Sequence, residues 1–292
     1  MNPLLSKLGL GSAQFVPGGS TPARGGRAPE VEVRDILTIA GRAGLGVFDV
    51  SGAHGRSEIL LGDLMPRPVP FRLTLNSVRP DRGPDYVEAE ARASLARMGV
   101  ERADAIVVPL AADLFSTHGA AMWTRLLQMR DHGLFAKVGV ALHATDDPVG
   151  VSRRFKPDLI QAPASLLDQR MLADGTLERI AGMGIEVQMR SIFLNGLLFL
   201  PLDRLPNSLK GASSGLSRAR RMIAEGRSDP LQAALGFALS RPEASAVLVN
   251  VASAAELSAV IAAAASPPPD LDWDEMAIDD PTALDPQRWA AA

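Results

Sequence analysis

At 292 residues, 47% of them hydrophobic, the chain is long enough to bury one large core. A net charge of -3 offers no basic surplus for nucleic acid or for a membrane surface. The absence of cysteine excludes disulfides, thiolate metal sites and a cysteine nucleophile.

The N-terminal MNPLLSKLGLGSAQ lacks an apolar core with a small-residue cleavage site, so no signal peptide is expected. No uncharged apolar run reaches the ~18 residues of a membrane span. A soluble, cytoplasmic protein is expected. The first predicted strand is Leu8–Ser12. Residues 17–28, rich in Gly, Pro and Arg, are expected to form a mobile loop. Val33, Ile36, Leu37 and Ala40 then fall at helical spacing, with Gly44 as the stop. A strand over Leu45–Phe48 leads into DVSGAHGRSEILLGD, residues 49–63. The next strand is Phe71–Leu75, followed by a stripe at Val87, Ala91, Leu95 and Met98 that ends at Gly99. Strands at Ala105–Val108 and Ala136–Ala141 come next, and Asp146-Asp147-Pro148 reads as a helix start. Further strands are Leu159–Gln161, Ile185–Met189 after Gly184, and Ala246–Val249. Asp229-Pro230 caps and opens a helix running to Leu239. Residues 266–292 are proline-rich, then acidic, and are expected to pack Trp273 and Trp289 on the rest of the molecule.

The strands are short and continuously apolar, as strands covered on both faces are. Eight strand–helix units suit a single (β/α)8 TIM barrel over residues 1–292. Strand count alone also allows an open, doubly wound sheet. No Gly-x-Gly-x-x-Gly follows a strand into a helix, so a Rossmann-type nucleotide site is not expected.

Several segments carry a resemblance. DVSGAHGRSEILLG resembles the aldo-keto reductase signature, an aspartate followed by Tyr-Gly, Ser-Glu and Leu-Gly. VGVALHA is similar to that family's Gly-Val-Ser-Asn strand, and DLIQAPASLLDQR to its Ile-Gln-x-Pro-x-Asn-Leu-Leu-Asp segment. QMRSIFLNGLLFLP is similar to the Arg-Ser-x-Phe-Leu-x-Gly-Leu-Leu segment of one bacterial branch. The resemblance runs from LGLGSAQF to the final DPQRW. It implies a barrel whose site lies at the C-terminal strand ends, where a nicotinamide cofactor transfers hydride to or from a carbonyl carbon.

That chemistry uses four side chains in the family. A tyrosine donates a proton, a lysine lowers its pKa, an aspartate pairs with the lysine, and a histidine orients the carbonyl. The aspartate matches Asp49. His54 stands at the tyrosine position, Asn76 at the lysine position and Pro109 at the histidine position, so three of the four are replaced. Tyr86 is the only tyrosine and lies in a helical stripe. Lys137 stands at the head of the fifth strand, at the opposite barrel face.

A histidine titrates near ~6.5, so His54 can donate a proton without a lysine's help, with Asp49 orienting it. Asp49 also reads as a turn cap. Asn76 can donate or accept a hydrogen bond but carries no charge. Among the residues that would hold a nicotinamide amide, the resemblance places Ala141 and Leu142 where Ser and Asn are usual and retains Gln161. Arg190, at the end of the seventh strand, reads either as a partner for a carboxylate or pyrophosphate or as part of a structural ion pair. Ser191, Asn195 and Gly196 would contact a pyrophosphate. No basic residue follows Asn250 through the next helix, so the 2′-phosphate of NADP(H) lacks a charged partner. The cofactor is therefore NADP(H) or NAD(H), held weakly, or none. His143 reads as a polar loop residue, His118 and His132 as helix-surface residues, and Arg218, Arg220 and Arg221 as a solvated helix face. The scattered histidines show no metal-ligand spacing.

The expected protein is thus an oxidoreductase of this family type, weak or altered in activity on a small polar carbonyl or hydroxyl substrate. It works as a monomer or weak homo-oligomer. Two other readings stay open: a non-catalytic binding or regulatory barrel, and redox-independent isomerase or lyase chemistry at Asp49, His54 and Asn76.

Overall fold

The computed structural model describes residues 3–15, 28–50 and 55–291. In chain order the elements are α1 (Pro3–Lys7), β1 (Leu8–Gly11), α2 (Glu30–Ala43), β2 (Val47–Val50), α3 (Arg56–Leu64), β3 (Arg72–Asn76), α4 (Pro84–Arg97), β4 (Ala103–Val108), α5 (Gly119–Asp131), β5 (Phe135–Ala141), α6 (Pro148–Phe155), β6 (Leu159–Pro163), α7 (Arg170–Ala173), α8 (Thr176–Gly182), β7 (Glu186–Arg190), α9 (Ser213–Glu225), α10 (Pro230–Leu239), β8 (Ala246–Val249) and α11 (Ala254–Ala265). The strands pair in parallel in sequence order, and β8 pairs back onto β1. Closure excludes the open-sheet alternative, because β1 has a neighbour on each side.

The helical stripes are buried as their spacing predicts, including Val33, Ile36, Leu37 and Ala40 on α2 and Val87, Ala91 and Leu95 on α4. Gly44 ends α2 in the left-handed conformation, φ 79°, which glycine adopts without Cβ strain. The Asp229 carboxylate accepts the Leu231 and Gln232 N–H groups at 2.8 and 3.0 Å, and Asp147 accepts that of Gly150 at 2.9 Å, so both Asp-Pro pairs do cap helices.

Strand limits differ from the sequence reading mainly at β2, which runs over Val47–Val50 and not Leu45–Phe48. Apolarity marks burial, whereas the ladder is set by neighbours. Asp49 lies opposite Gly11 and Thr74, and Val50 opposite Leu75, so pairing continues past the apolar run. Register carries one alternating set of residues around the barrel interior. Val47, Ala246 and Leu248 form one small cluster there, and Ala105, Val107, Ala141 and Leu159 another. The main core lies between sheet and helices.

At the N-terminal strand ends the interior is charged. Lys137, inside β5, donates to Glu186 at 2.5 Å, and Arg72 lies 3.8 Å from the same carboxylate. Burial raises the Glu186 pKa, but hydrogen bonds from Lys137 and Gln188 and the nearby cations outweigh it and hold the group below the ordinary carboxylate value.

The basic cluster on α9 is not a plain solvated face. Arg218 donates to the Glu275 and Ala277 carbonyls at 2.8 Å. Arg220 donates to the carbonyls of Leu197, Leu198 and Leu200. In the C-terminal segment Trp273 meets the Phe237 ring at 5.8 Å, and the Ile278 N–H bonds to the Leu167 carbonyl at 3.0 Å. No helix among the described residues is long and apolar enough to cross a membrane.

Candidate active site

Polar residues gather at the C-terminal ends of the strands. Asp49 is 5% exposed within β2. Asn76 ends β3 opposite Val107, and its Oδ1 is buried with no hydrogen-bond partner among the described residues, as is Ser77 Oγ beside it. Asp49 faces Thr74, two residues before Asn76, so the carboxylate and the amide share the barrel interior. His54, and residues 17–27 of the expected loop, lie outside the described residues. Ala28 is buried, and its N–H bonds to the Gln14 carbonyl at 3.0 Å.

Arg190 ends β7 opposite Pro163. Its Nη2 donates to the Leu142 carbonyl and lies 3.4 Å from His143 Nδ1, while its Nε is buried with no partner among the described residues. Burial lowers its pKa from the ordinary guanidinium value, and the charges of Asp49 and Asp146 act in the opposite sense. His143 is not a plain loop residue. Its Nε2 lies 3.1 Å from the Pro109 carbonyl, and its backbone N–H donates to Asp146 at 2.7 Å. The Pro109 carbonyl can only accept, so Nε2 carries the proton and Nδ1 accepts from Arg190. Burial and then the Arg190 charge hold His143 below the usual imidazole pKa, so it is neutral. The ends of β4, β5 and β7 are thereby joined by one chain of polar contacts.

Gln161, buried in β6, donates its amide to Gln188 at 3.2 Å. The Leu142 carbonyl is taken by Arg190. Neither Gln161 nor Arg190 lines the adjoining cleft, whereas Ser191, Asn195 and Gly196 do. This cleft, about 610 Å³, opens between the segment after β7, the end of β8 and the start of α11. Gln14, Asp229, Asn250 and Glu256 also line it, and sequence reading had singled out none of these as ligand contacts. Asn250 carries the better signal, since it follows directly on a predicted strand. The Asn250 side chain leans over Gly11, where a Cβ would lie 2.3 Å from its Oδ1 and would push that side chain aside. Asp229 and Glu256 are the charged residues among the described lining, which contains no lysine or arginine.

The segment after β7 has an uncommon backbone. φ is positive at Ser191 (62°), Leu194 (45°), Asn195 (49°) and Gly196 (87°). Arg220 holds this turn from behind through the three carbonyls named above. No group of three or more metal-ligating side chains is placed to hold an ion among the described residues.

The family model described as "Aldo/keto reductase family" matches residues 7–278. Among solved structures, PA4992 of Pseudomonas aeruginosa, described as an aldo-keto reductase, superposes with a TM-score of 0.65 at 17% identity, covering 89% of this chain and 90% of its own. The holo form of aldo-keto reductase AKR11C1 from Bacillus halodurans gives a TM-score of 0.71 at 17% identity, covering 90% of this chain and 87% of its own. At that identity the likeness is one of fold. No curated protein matches the sequence.

Proposed function

The chain belongs to the aldo/keto reductase family, a family of NAD(P)-dependent oxidoreductases, and from this premise we propose that it binds a nicotinamide dinucleotide in the cleft beside β7 and β8 and acts slowly, or by altered chemistry, on a small polar carbonyl or hydroxyl compound at the barrel mouth. The observation that carries this reading is the turn after β7. Left-handed backbone at Ser191, Leu194 and Asn195 costs about 1–3 kcal/mol per residue, and such strain clusters at ligand-binding turns. The Ser191 hydroxyl, the Asn195 amide and the N–H groups of a left-handed turn are uncharged donors suited to a pyrophosphate.

When bound, the nicotinamide supplies hydride to a carbonyl carbon or accepts it from a carbinol. The chain's own residues handle charge and protons. Arg190 places a partly buried cation at the mouth, where negative charge grows on the substrate oxygen. Asn76 offers its unpartnered Oδ1 to a substrate hydroxyl. His54, five positions past Asp49, gives the proton in reduction and takes it in oxidation. Because Asn76 and Pro109 stand where the family has lysine and histidine, this transfer lacks the usual ammonium and the usual carbonyl donor, which supports slow or altered turnover.

Fluorescence titration with NADH tests the reading. Binding in the micromolar range is expected, with His54→Phe abolishing turnover while leaving that affinity in place. No binding at millimolar concentration overturns the proposal in favour of a non-catalytic barrel. Turnover that survives His54→Phe removes His54 from its role and favours chemistry at Asp49 and Asn76.

A further inference from the structure

Alternate residues of each strand line the barrel interior. On β7 these are Glu186, Gln188 and Arg190, since Gln188 bonds to Glu186 along the strand and to Gln161 of β6 inside the barrel. On β3 they are Arg72, Thr74 and Asn76, with Arg72 reaching Glu186 across the interior. Arg190 and Asn76 therefore stand at the mouth on opposite walls, β7 and β3 of a closed ring β1 to β8. The guanidinium is short of negative charge. Its hydrogen bonds among the described residues are made by Nη2, to the Leu142 carbonyl and to His143, which leaves the N–H groups of Nε and Nη1. Asp49 and Asp146 act on it through charge alone, without a hydrogen bond, and burial outweighs them. A cation held this way costs free energy until an anion completes it. A dinucleotide in the cleft beside β7 and β8 does not supply that anion, because Arg190 is not part of the cleft's lining. The opposite wall has the converse chemistry. Asn76 Oδ1 and Thr74 Oγ1 are buried without a hydrogen-bond partner among the described residues, and Asp49 stands beside them on β2.

From this opposition we propose that the compound taken at the mouth is a small oxo acid or hydroxy acid, its carboxylate held by Arg190 and a hydroxyl received by Asn76, with Arg190 as the specificity-determining residue. One guanidinium matches one carboxylate in charge and in planar shape. A phosphate dianion would leave a charge unmatched beside Asp49 and Asp146. The interior of an eight-stranded barrel is just wide enough for side chains, so a compound that bridges the two walls has few carbons. The inference rests on the reading above, that a small carbonyl or hydroxyl compound reacts at the mouth, and names the class of that compound.

Calorimetric titration at neutral pH and fixed ionic strength tests it. Hydroxy acids of two to six carbons are compared with their own primary amides, with and without NADH, which does not react with a hydroxyl compound. At least one acid is expected to bind about 30-fold more tightly than its amide, the order of a hydrogen bond between charged groups. Arg190→Gln is expected to erase that preference and to leave NADH affinity unchanged, because Arg190 lies outside the cleft lining. Amides that bind as tightly as their acids, or acids that fail to bind at millimolar concentration, overturn the inference whether or not NADH binds. This comparison on the parent needs no variant to fold. A preference for acids that survives in Arg190→Gln, melting like the parent, overturns the assignment of Arg190. Glycerol phosphate binding more tightly than every acid overturns the carboxylate in favour of a phosphate. NADH failing to bind while the acid preference holds overturns the dinucleotide reading and leaves the carboxylate site standing.

Discussion

His143 shows what a single residue's neighbours do to its chemistry. Its ring touches the Pro109 carbonyl on one side and the Arg190 guanidinium on the other; the cation favours the neutral form, and the carbonyl opposes it less strongly. Its pKa is lowered by burial first and by Arg190 second. Between that lowered value and the unfolded value near ~6.5, the unfolded chain holds a proton that the folded chain refuses. The stability contributed by neutral His143 is therefore complete above about pH 6.5 and is lost as pH falls towards the folded value. Melting temperature measured from pH 7.5 to 5 is expected to drop for the parent and to drop less for His143→Gln. Equal slopes would show that the ring is not refused its proton. Sequence placed His143 after the fifth strand correctly, but nothing local to it points at Pro109, 34 positions earlier, or Arg190, 47 positions later.

At the scale of elements, the Ser-Glu of the signature does structural work at the start of α3. Glu58 is 2% exposed. It accepts from Ser94 and from Arg97 Nε (2.5 Å) on α4, and from the Gly55 N–H at 3.1 Å ahead of its own helix. The carboxylate thus ties α3 to α4. Gly62 permits the approach of the two helices, since a Cβ there would lie 2.5 Å from the Arg97 carbonyl. Glu58→Ala is expected to leave the Arg97 guanidinium with only Glu90, at 3.3 Å, and to lower stability by about 3 kcal/mol in urea denaturation. A loss below about 0.5 kcal/mol would mark the pair as no stronger than a surface salt bridge. The spacing of Ser57 and Glu58 was legible in the sequence. The partners of Glu58 on the next helix were not, because periodicity says which face is buried and not what it meets.

For the whole molecule, closure of the barrel decides what the interior can hold. Lys137 and Glu186 lie on β5 and β7, with Leu159 of β6 opposite Glu186 between them. Their ion pair plugs the N-terminal end of the barrel and leaves the opposite end to the polar residues of the mouth. Lys137→Met leaves Glu186 charged and mostly enclosed, and is expected to cost about 3 kcal/mol. The double variant Lys137→Met, Glu186→Gln is expected to recover more than half of that loss, as read in a double-mutant cycle. No recovery would mean that the lysine stem's packing, and not its charge, is what matters.

Strand–helix alternation, the buried helical stripes, the Asp-Pro caps and the glycine stops were all readable one residue after another, because each reports a local choice between burial and solvent. These sufficed for the barrel, and the ordered motifs sufficed for the family. The open-sheet alternative fell only when β8 was seen to pair with β1. Tertiary structure likewise joined Arg190, His143 and Pro109, and spent the start of α11 on Glu32 from the far end of the chain. Register and closure set those contacts, and both depend on how eight strands stagger against one another, which no window of neighbouring residues records.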